Sequence, residues 1–174
     1  MTRQQVLADC IRETRPLLAR YLKGFDDTNH TKQAPGLPNH LAWTLGHLAL
    51  TMQRTAERLD GIAPPESDFI KGDGKSGTPD RFDTESICFG SKPIDDPRLY
   101  PKFTRCVAIF NVAVDRIADA TLKASDKTLD AKSKWGRIEV QNWTLIPRMV
   151  FHNGNHNGQI ADLRRALGMG SIFT

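Results

Sequence analysis

The chain carries five histidines, and two of them hold the clearest chemistry. His152 and His156 are four residues apart, so on a helix they stand one turn above each other on one face. At 100° per residue, Leu145, Met149, Gln159, Leu163 and Leu167 all fall within about 60° of His152, which turns the pair toward an apolar interior. Two imidazoles a turn apart can chelate one metal ion, as the histidine pair of H-E-x-x-H helices does. The plainer alternative is a pair of core histidines bonded to backbone or water. The inward face favours the metal, because buried imidazoles without partners cost free energy and one shared ion satisfies both.

His47 lies within Trp43-Thr44-Leu45-Gly46-His47-Leu48, about 120° from the centre of the apolar stripe of its helix, which reads as a boundary position. Gly46 beside it lowers helix propensity by ~1 kcal/mol relative to Ala and points to close packing or room for a ligand. His40, seven residues earlier, and His30, in a polar loop, read as surface histidines. Gly154 and Gly158 each cost roughly 1 kcal/mol inside a helix, so a helix–helix contact is expected there, within the chain or across a dimer. Asn153, Asn155 and Asn157 are either partners that orient the imidazoles or solvated side chains. A catalytic base is not evident. Glu57 falls on the polar side of its helix, and Asp80, Asp83, Glu85, Asp95 and Asp96 lie in a loop that gives them no fixed place.

Four helical segments must position these residues. The first covers about residues 2–22, with Val6, Cys10, Thr14, Leu17 and Tyr21 on one side. The second opens at Asn39 as N-cap and runs to Asp60 before Gly61. The third spans about residues 100–122, and the fourth about residues 144–167, with Pro147 in its first turn, where a missing N–H does no harm. Residues 62–99, dense in Gly, Pro, Asp, Lys and Ser, are too long for a simple turn and read as a lid or a long crossover. A shorter link, residues 123–143, contains one weak extended signal at residues 137–140. No internal repeat divides the chain. The expected fold is all-α, a four-helix bundle with a long crossover between helices 2 and 3, forming one domain over residues 1–174.

At 174 residues, with 39% hydrophobic and 25% charged residues, the chain can bury a core and is not a disordered tail. No window approaches the ~18 uncharged apolar residues of a membrane span. Cys10, Cys88 and Cys106 are odd in number and form no CxxC, which disfavours a disulfide framework or a cysteine metal site. The start, Met1-Thr2-Arg3-Gln4-Gln5-Val6, lacks the apolar stretch of a signal peptide, so a reduced, cytoplasmic protein is expected. The net charge of +4 is spread among acidic residues without a basic run, which disfavours nucleic acid as a partner.

Two stretches together resemble the DinB/YfiT-like family: Asn39-His40-Leu41-Ala42-Trp43-Thr44-Leu45-Gly46-His47, and His152-Asn153-Gly154-Asn155-His156-Asn157-Gly158-Gln159-Ile160. The resemblance implies a helical bundle, usually a homodimer, with three histidines on a divalent metal ion, commonly zinc or nickel. Position by position the ligands would be His47, His152 and His156, and Gln159 matches a family glutamine that would support a ligand from behind. Gly154 and the three asparagines stand where many members carry bulkier or charged residues, which bears on the pocket wall and so on the substrate. Three imidazoles with an open fourth position make a catalytic rather than a structural zinc arrangement. Such an ion acidifies bound water or takes a thiolate in its place. Relatives include thiol-cofactor S-transferases and isomerases, proposed hydrolases, and many members without known activity.

The expectation is therefore a metal-dependent enzyme acting on a small molecule, by thiol S-transferase-like or hydrolytic chemistry, with a low-molecular-weight thiol as a candidate second cofactor. Phe82, Phe89 and Tyr100 would let the long loop close over the metal. The alternative is a non-catalytic, stress-related dimeric bundle with or without metal. Imidazole ligands predict that metal affinity falls as pH drops through ~6.5, the free-histidine pKa.

Overall fold

Pro16 shapes the first helical stretch. It has no N–H to offer the Arg12 carbonyl and its ring crowds that turn. The single helix expected over residues 2–22 is accordingly two, α1 (Arg3–Arg12) and α2 (Thr14–Tyr21), separated at Glu13. The Thr14 hydroxyl donates to the Ile11 carbonyl across the break, at 2.7 Å. These helices belong to a computed structural model that describes residues 1–172.

Helix α3 (Leu41–Asp60) ends on Gly61, whose φ of +74° suits a residue without Cβ. Its N-cap is His40 rather than Asn39, with His40 Nδ1 accepting the Trp43 N–H at 3.1 Å. Long helices α5 (Phe103–Lys123) and α7 (Leu145–Ala166) complete the frame. Helix α5 lies along α3 and α1, and α7 packs against α1, α2 and α3. One core includes Ile11, Leu45, Met52, Phe110 and Met149. Along α1 and α2 the buried residues are Ala8, Ile11, Thr14 and Leu18, while Val6, Cys10 and Leu17 of the expected first stripe are exposed. Every residue from 41 to 50 is buried, so the first half of α3 is enclosed on all sides, whereas Arg54 and Asp60 in its second half are exposed. Buried Arg164 on α7 donates to the backbone carbonyls of Tyr21 and Lys23, tying down the end of α2.

The crossover is tied down along its length. Strand β1 (Phe69–Ile70) pairs in parallel with β2 (Phe82–Asp83), Phe69 opposite Phe82. A Cβ on Gly46 would stand 2.7 Å from the Phe82 ring, so the glycine in α3 is the seat of that phenyl group. Buried Asp83 accepts from the backbone N–H groups of Gly74 and Ser76, and from Glu85 at the start of the one-turn helix α4 (Thr84–Ile87). Past α5, the short helix α6 (Asp126–Asp130) leads into an antiparallel hairpin, β3 (Lys132–Trp135) and β4 (Ile138–Gln141). Gly136, at φ +60°, opens its two-residue turn in the position a II′ turn reserves for glycine. The weak extended signal at residues 137–140 is strand β4.

Neither His30 nor His40 is at the surface. Both are buried, at 2% and 0% exposure. His30 Nε2 sits 3.1 Å from the Pro101 carbonyl, and His40 Nε2 3.2 Å from the Ile94 carbonyl. Each ring thus ties the polar crossover or its neighbouring loop to the bundle, a long-range role that local polarity does not reveal. None of the described helices is long and apolar enough to cross a membrane.

Candidate metal centre

Helices α3 and α7 cross so that His47, His152 and His156 face one another. The Nε2 atoms of His47 and His156 each lie 3.2 Å from Nε2 of His152, and one nitrogen from each ring falls within 4.8 Å of the others. His47 is buried, although its angular position marks the edge of the α3 stripe. The crossover makes the difference, because it covers the side of α3 that periodicity assigns to solvent.

Hydrogen bonding fixes the ring of His47. Its Nδ1 lies 2.9 Å from the Ile87 carbonyl at the end of α4. A carbonyl only accepts, so Nδ1 carries the hydrogen and Nε2 presents its lone pair to the other two rings. Trp43, one turn before, stacks on the imidazole with centroids 4.6 Å apart and planes 12° from parallel. Backbone carbonyl and indole together hold the ring in place.

This arrangement is awkward without a cation. A hydrogen on His152 Nε2 can point at one neighbouring nitrogen, and the other short N···N contact is then left lone pair to lone pair. A shared divalent ion takes all three lone pairs. Two nitrogens at ~2.0–2.1 Å from a tetrahedral zinc stand about 3.3–3.4 Å apart, close to the two 3.2 Å contacts at His152, and the third pair lies within 4.8 Å. The three residues therefore fit a metal ion and could hold one.

Burial also prepares the rings chemically. It pushes the pKa of His152 down to about 4, helped by the facing His156 and His47. His156 is pushed to about 4 by burial and by His47, with the Gln159 amide acting in the opposite sense. His47 is lowered by burial, against the pull of the Ile87 carbonyl and with a further push from the Arg54 charge. All three rings are neutral at physiological pH and ready to ligate. The proton competition expected at ~6.5 from free histidine moves down, toward pH 4 at His152 and His156.

Gln159 is half-buried and accepts from Asn39 Nδ2 at 3.5 Å, the outer limit of a hydrogen bond. His156 Nδ1 itself has no hydrogen-bond partner among the described residues. The asparagines do not orient the imidazoles: Asn153 turns to Thr14 of α2 at 3.0 Å, and Asn155 is exposed. Gly154 and Gly158 face open space, so no contact within the chain explains them.

A cavity of about 440 Å³ opens onto His47 and His152. Its α3 wall runs through Leu50 and Thr51 to Arg54 and Arg58, and its other walls bring Cys88, Phe89 and Trp135. The arginines follow His47 by seven and eleven residues, a helical spacing visible in the sequence. Cys88, Trp135 and the Ile87 carbonyl arrive only through tertiary folding. Of the three aromatic residues expected on a lid, only Phe89, 95% exposed, is at this cavity. Phe82 is the buried anchor at Gly46, and the Tyr100 hydroxyl accepts from the Ile94 N–H at 3.1 Å while its ring packs edge-on to His40. No carboxylate lines the cavity among the described residues: Glu57 faces a neighbouring groove, and Asp83 is consumed in the crossover.

The fold and the centre together define an all-α protein with a trihistidine cluster, buried at His47 and His156 and half-buried at His152, shared between two long helices and open on one side. Residues 11–160 match the model of the DinB superfamily, and the chain belongs to that superfamily. No curated protein matches the chain.

Proposed function

We propose that the chain, as one domain over residues 1–174, is a metal-dependent enzyme that acts on a small molecule at His47, His152 and His156, with zinc or nickel as its ion. The observation that carries this reading is the convergence of three neutral imidazoles, two of which, His47 and His152, line an open cavity. A divalent ion held by neutral imidazoles supplies positive charge that acidifies a water or thiol brought beside it. The chain's own part is to orient His47 through the Ile87 carbonyl, to keep all three rings unprotonated by burial, and to exclude bulk water with Trp43 and the crossover. Gln159 would support His156 from behind.

Of the two chemistries, thiol transfer suits the cavity better than hydrolysis. A thiol brings its own acidic proton, whereas hydrolytic sites generally position a base for water, and no carboxylate lines this cavity. The same lack of a base supports a second reading, a non-catalytic dimeric bundle. A homodimer fits both, with the open face of α7 around Phe151, Gly154 and Gly158 as the surface a second chain would cover.

Elemental analysis of untagged protein tests the centre. About one divalent ion per chain is expected, and the His47→Ala, His152→Ala double variant should lose it. Full occupancy in that variant, or no uptake of zinc or nickel by the parent, would sink the enzyme reading.

A further inference from the structure

The cavity beside the histidines has a charge pattern of its own. Successive turns of α3 carry the wall from His47 at the floor to Arg54 and Arg58 at the rim, and seven residues of helix place Arg54 about 10 Å along the axis from His47. Arg58 is held in place. Its guanidinium donates to the Arg54 carbonyl at 2.8 Å and to the Lys134 carbonyl at 3.4 Å, and lies 5.6 Å over the ring of Trp135. The Arg54 guanidinium has no hydrogen bond or ion pair among the described residues. Arg12, Arg15, Arg105 and Arg116 each meet an aspartate, while exposed Arg20, Arg137 and Arg148 share the unpaired state of Arg54 among the described residues but do not line this cavity. Between floor and rim the wall is apolar, with Leu50, Phe89 and Trp135.

Glu57 lines the neighbouring groove with Arg54 and Arg58, but no carboxylate pairs with either guanidinium among the described residues and none lines this cavity. Two cations thus stand at one end of a cavity whose other end is the reactive centre. We propose that the cavity binds a small amphipathic anion whose carboxylate or phosphate group sits on Arg54 and Arg58. Its apolar body lies against Leu50, Phe89 and Trp135, and its reacting end reaches the three histidines. This rests on the histidine centre as the reactive end and adds the substrate class. Arginine suits the task because its planar fork grips an oxyanion through two parallel N–H donors. Arg58 is fixed by the hairpin, so part of the ordering cost is met before the ligand arrives.

The test uses the full chain, metal-free and zinc-loaded, titrated by calorimetry with 3-phenylpropionate, with its neutral amide 3-phenylpropionamide, and with 2-phenylethyl phosphate. The metal-free protein is expected to bind at least one of the two anions about tenfold or more tighter than the amide, with a preference that weakens as salt is raised. Arg54→Ala should remove most of that preference, Arg54→Lys should keep part of it, and Arg20→Ala, on an exposed face of α2, should leave it intact. The tighter of the two anions identifies the oxyanion. Equal binding of anions and amide by the parent would overturn the proposal. So would a preference that exists only with zinc and survives Arg54→Ala, since the anion would then sit on the ion. A chain that takes up no metal but keeps the preference refutes the metal reading and leaves the anion site standing. A chain that loads metal and shows no preference does the reverse.

Discussion

His40 and His47 stand two turns apart on α3 and hold opposite tautomers, each set by a backbone group. His47 donates from Nδ1 to a carbonyl, whereas His40 accepts at Nδ1 from the Trp43 N–H and gives its Nε2 hydrogen to the Ile94 carbonyl. Protonating His40 at Nδ1 would break the N-cap of α3. Burial accordingly pushes its pKa down to about 4, against the pull of the Ile94 carbonyl. The sign of the linkage follows. Above pH ~6.5 the ring is neutral folded and unfolded, and nothing is lost. Between there and about pH 4 only the unfolded chain takes the proton, so stability falls by about 3 kcal/mol from this ring alone and then levels off. His40→Asn keeps an acceptor for the cap without a titrating group. Urea unfolding of metal-free protein at pH 7.5 and 4.5 should therefore show a smaller acid loss for His40→Asn than for the parent. Equal losses would mean that His40 titrates normally in the folded chain.

At the scale of elements, the two kinds of helical glycine make opposite predictions. Gly46 seats the Phe82 ring, which is fully buried and belongs to a paired strand, so it has little room to retreat. Gly46→Ala should cost about 1–3 kcal/mol, as overpacking does, and should loosen the crossover that delivers the Ile87 carbonyl. Gly158 on α7 faces open space, so Gly158→Ala should gain up to ~1 kcal/mol of helix propensity. Denaturant midpoints check both. An unchanged midpoint for Gly46→Ala would show that Phe82 moves aside freely, and a loss at Gly158 would place a second chain against that face. The long helices were legible in the sequence because the stripes of α5 and α7 each face one core. What stayed hidden depends on the crossover. The first half of α3 is enclosed all round, so periodicity put His47 at an edge and His40 outside. Strands β1 and β2 are two residues each and have no alternation to read. The break at Glu13 was legible in principle from Pro16. The pair on α7 was readable because both ligands share one helix, and Arg54 shares α3 with His47, but Cys88 and Trp135 reach the histidines from two other segments.

Taken whole, the molecule closes its centre with parts that are remote in sequence. His47 and His152 are 105 residues apart, and the carbonyl behind His47 comes from the crossover between them. An ion held there joins α3 to α7 directly and the crossover to both indirectly. The unfolded chain has no comparable preformed site, so binding energy should be folding energy. With free zinc at a hundred times its dissociation constant the gain is about 2.7 kcal/mol. For a chain of this size that corresponds to a rise in Tm of roughly 5–10 °C. Amide exchange should slow most in α7 and around Ile87, which the ion would clamp. It should change less in the β3–β4 hairpin, which supplies none of the three histidines and meets the cavity through Trp135, Gly136 and the Arg58–Lys134 contact. The matched control is His152→Ala, which removes the ligand central to both short N···N contacts and should show no zinc-dependent rise. An equal rise in that variant would mean that zinc stabilises the chain from somewhere else, and no rise in the parent would mean that the three rings pack together as an ordinary part of the core.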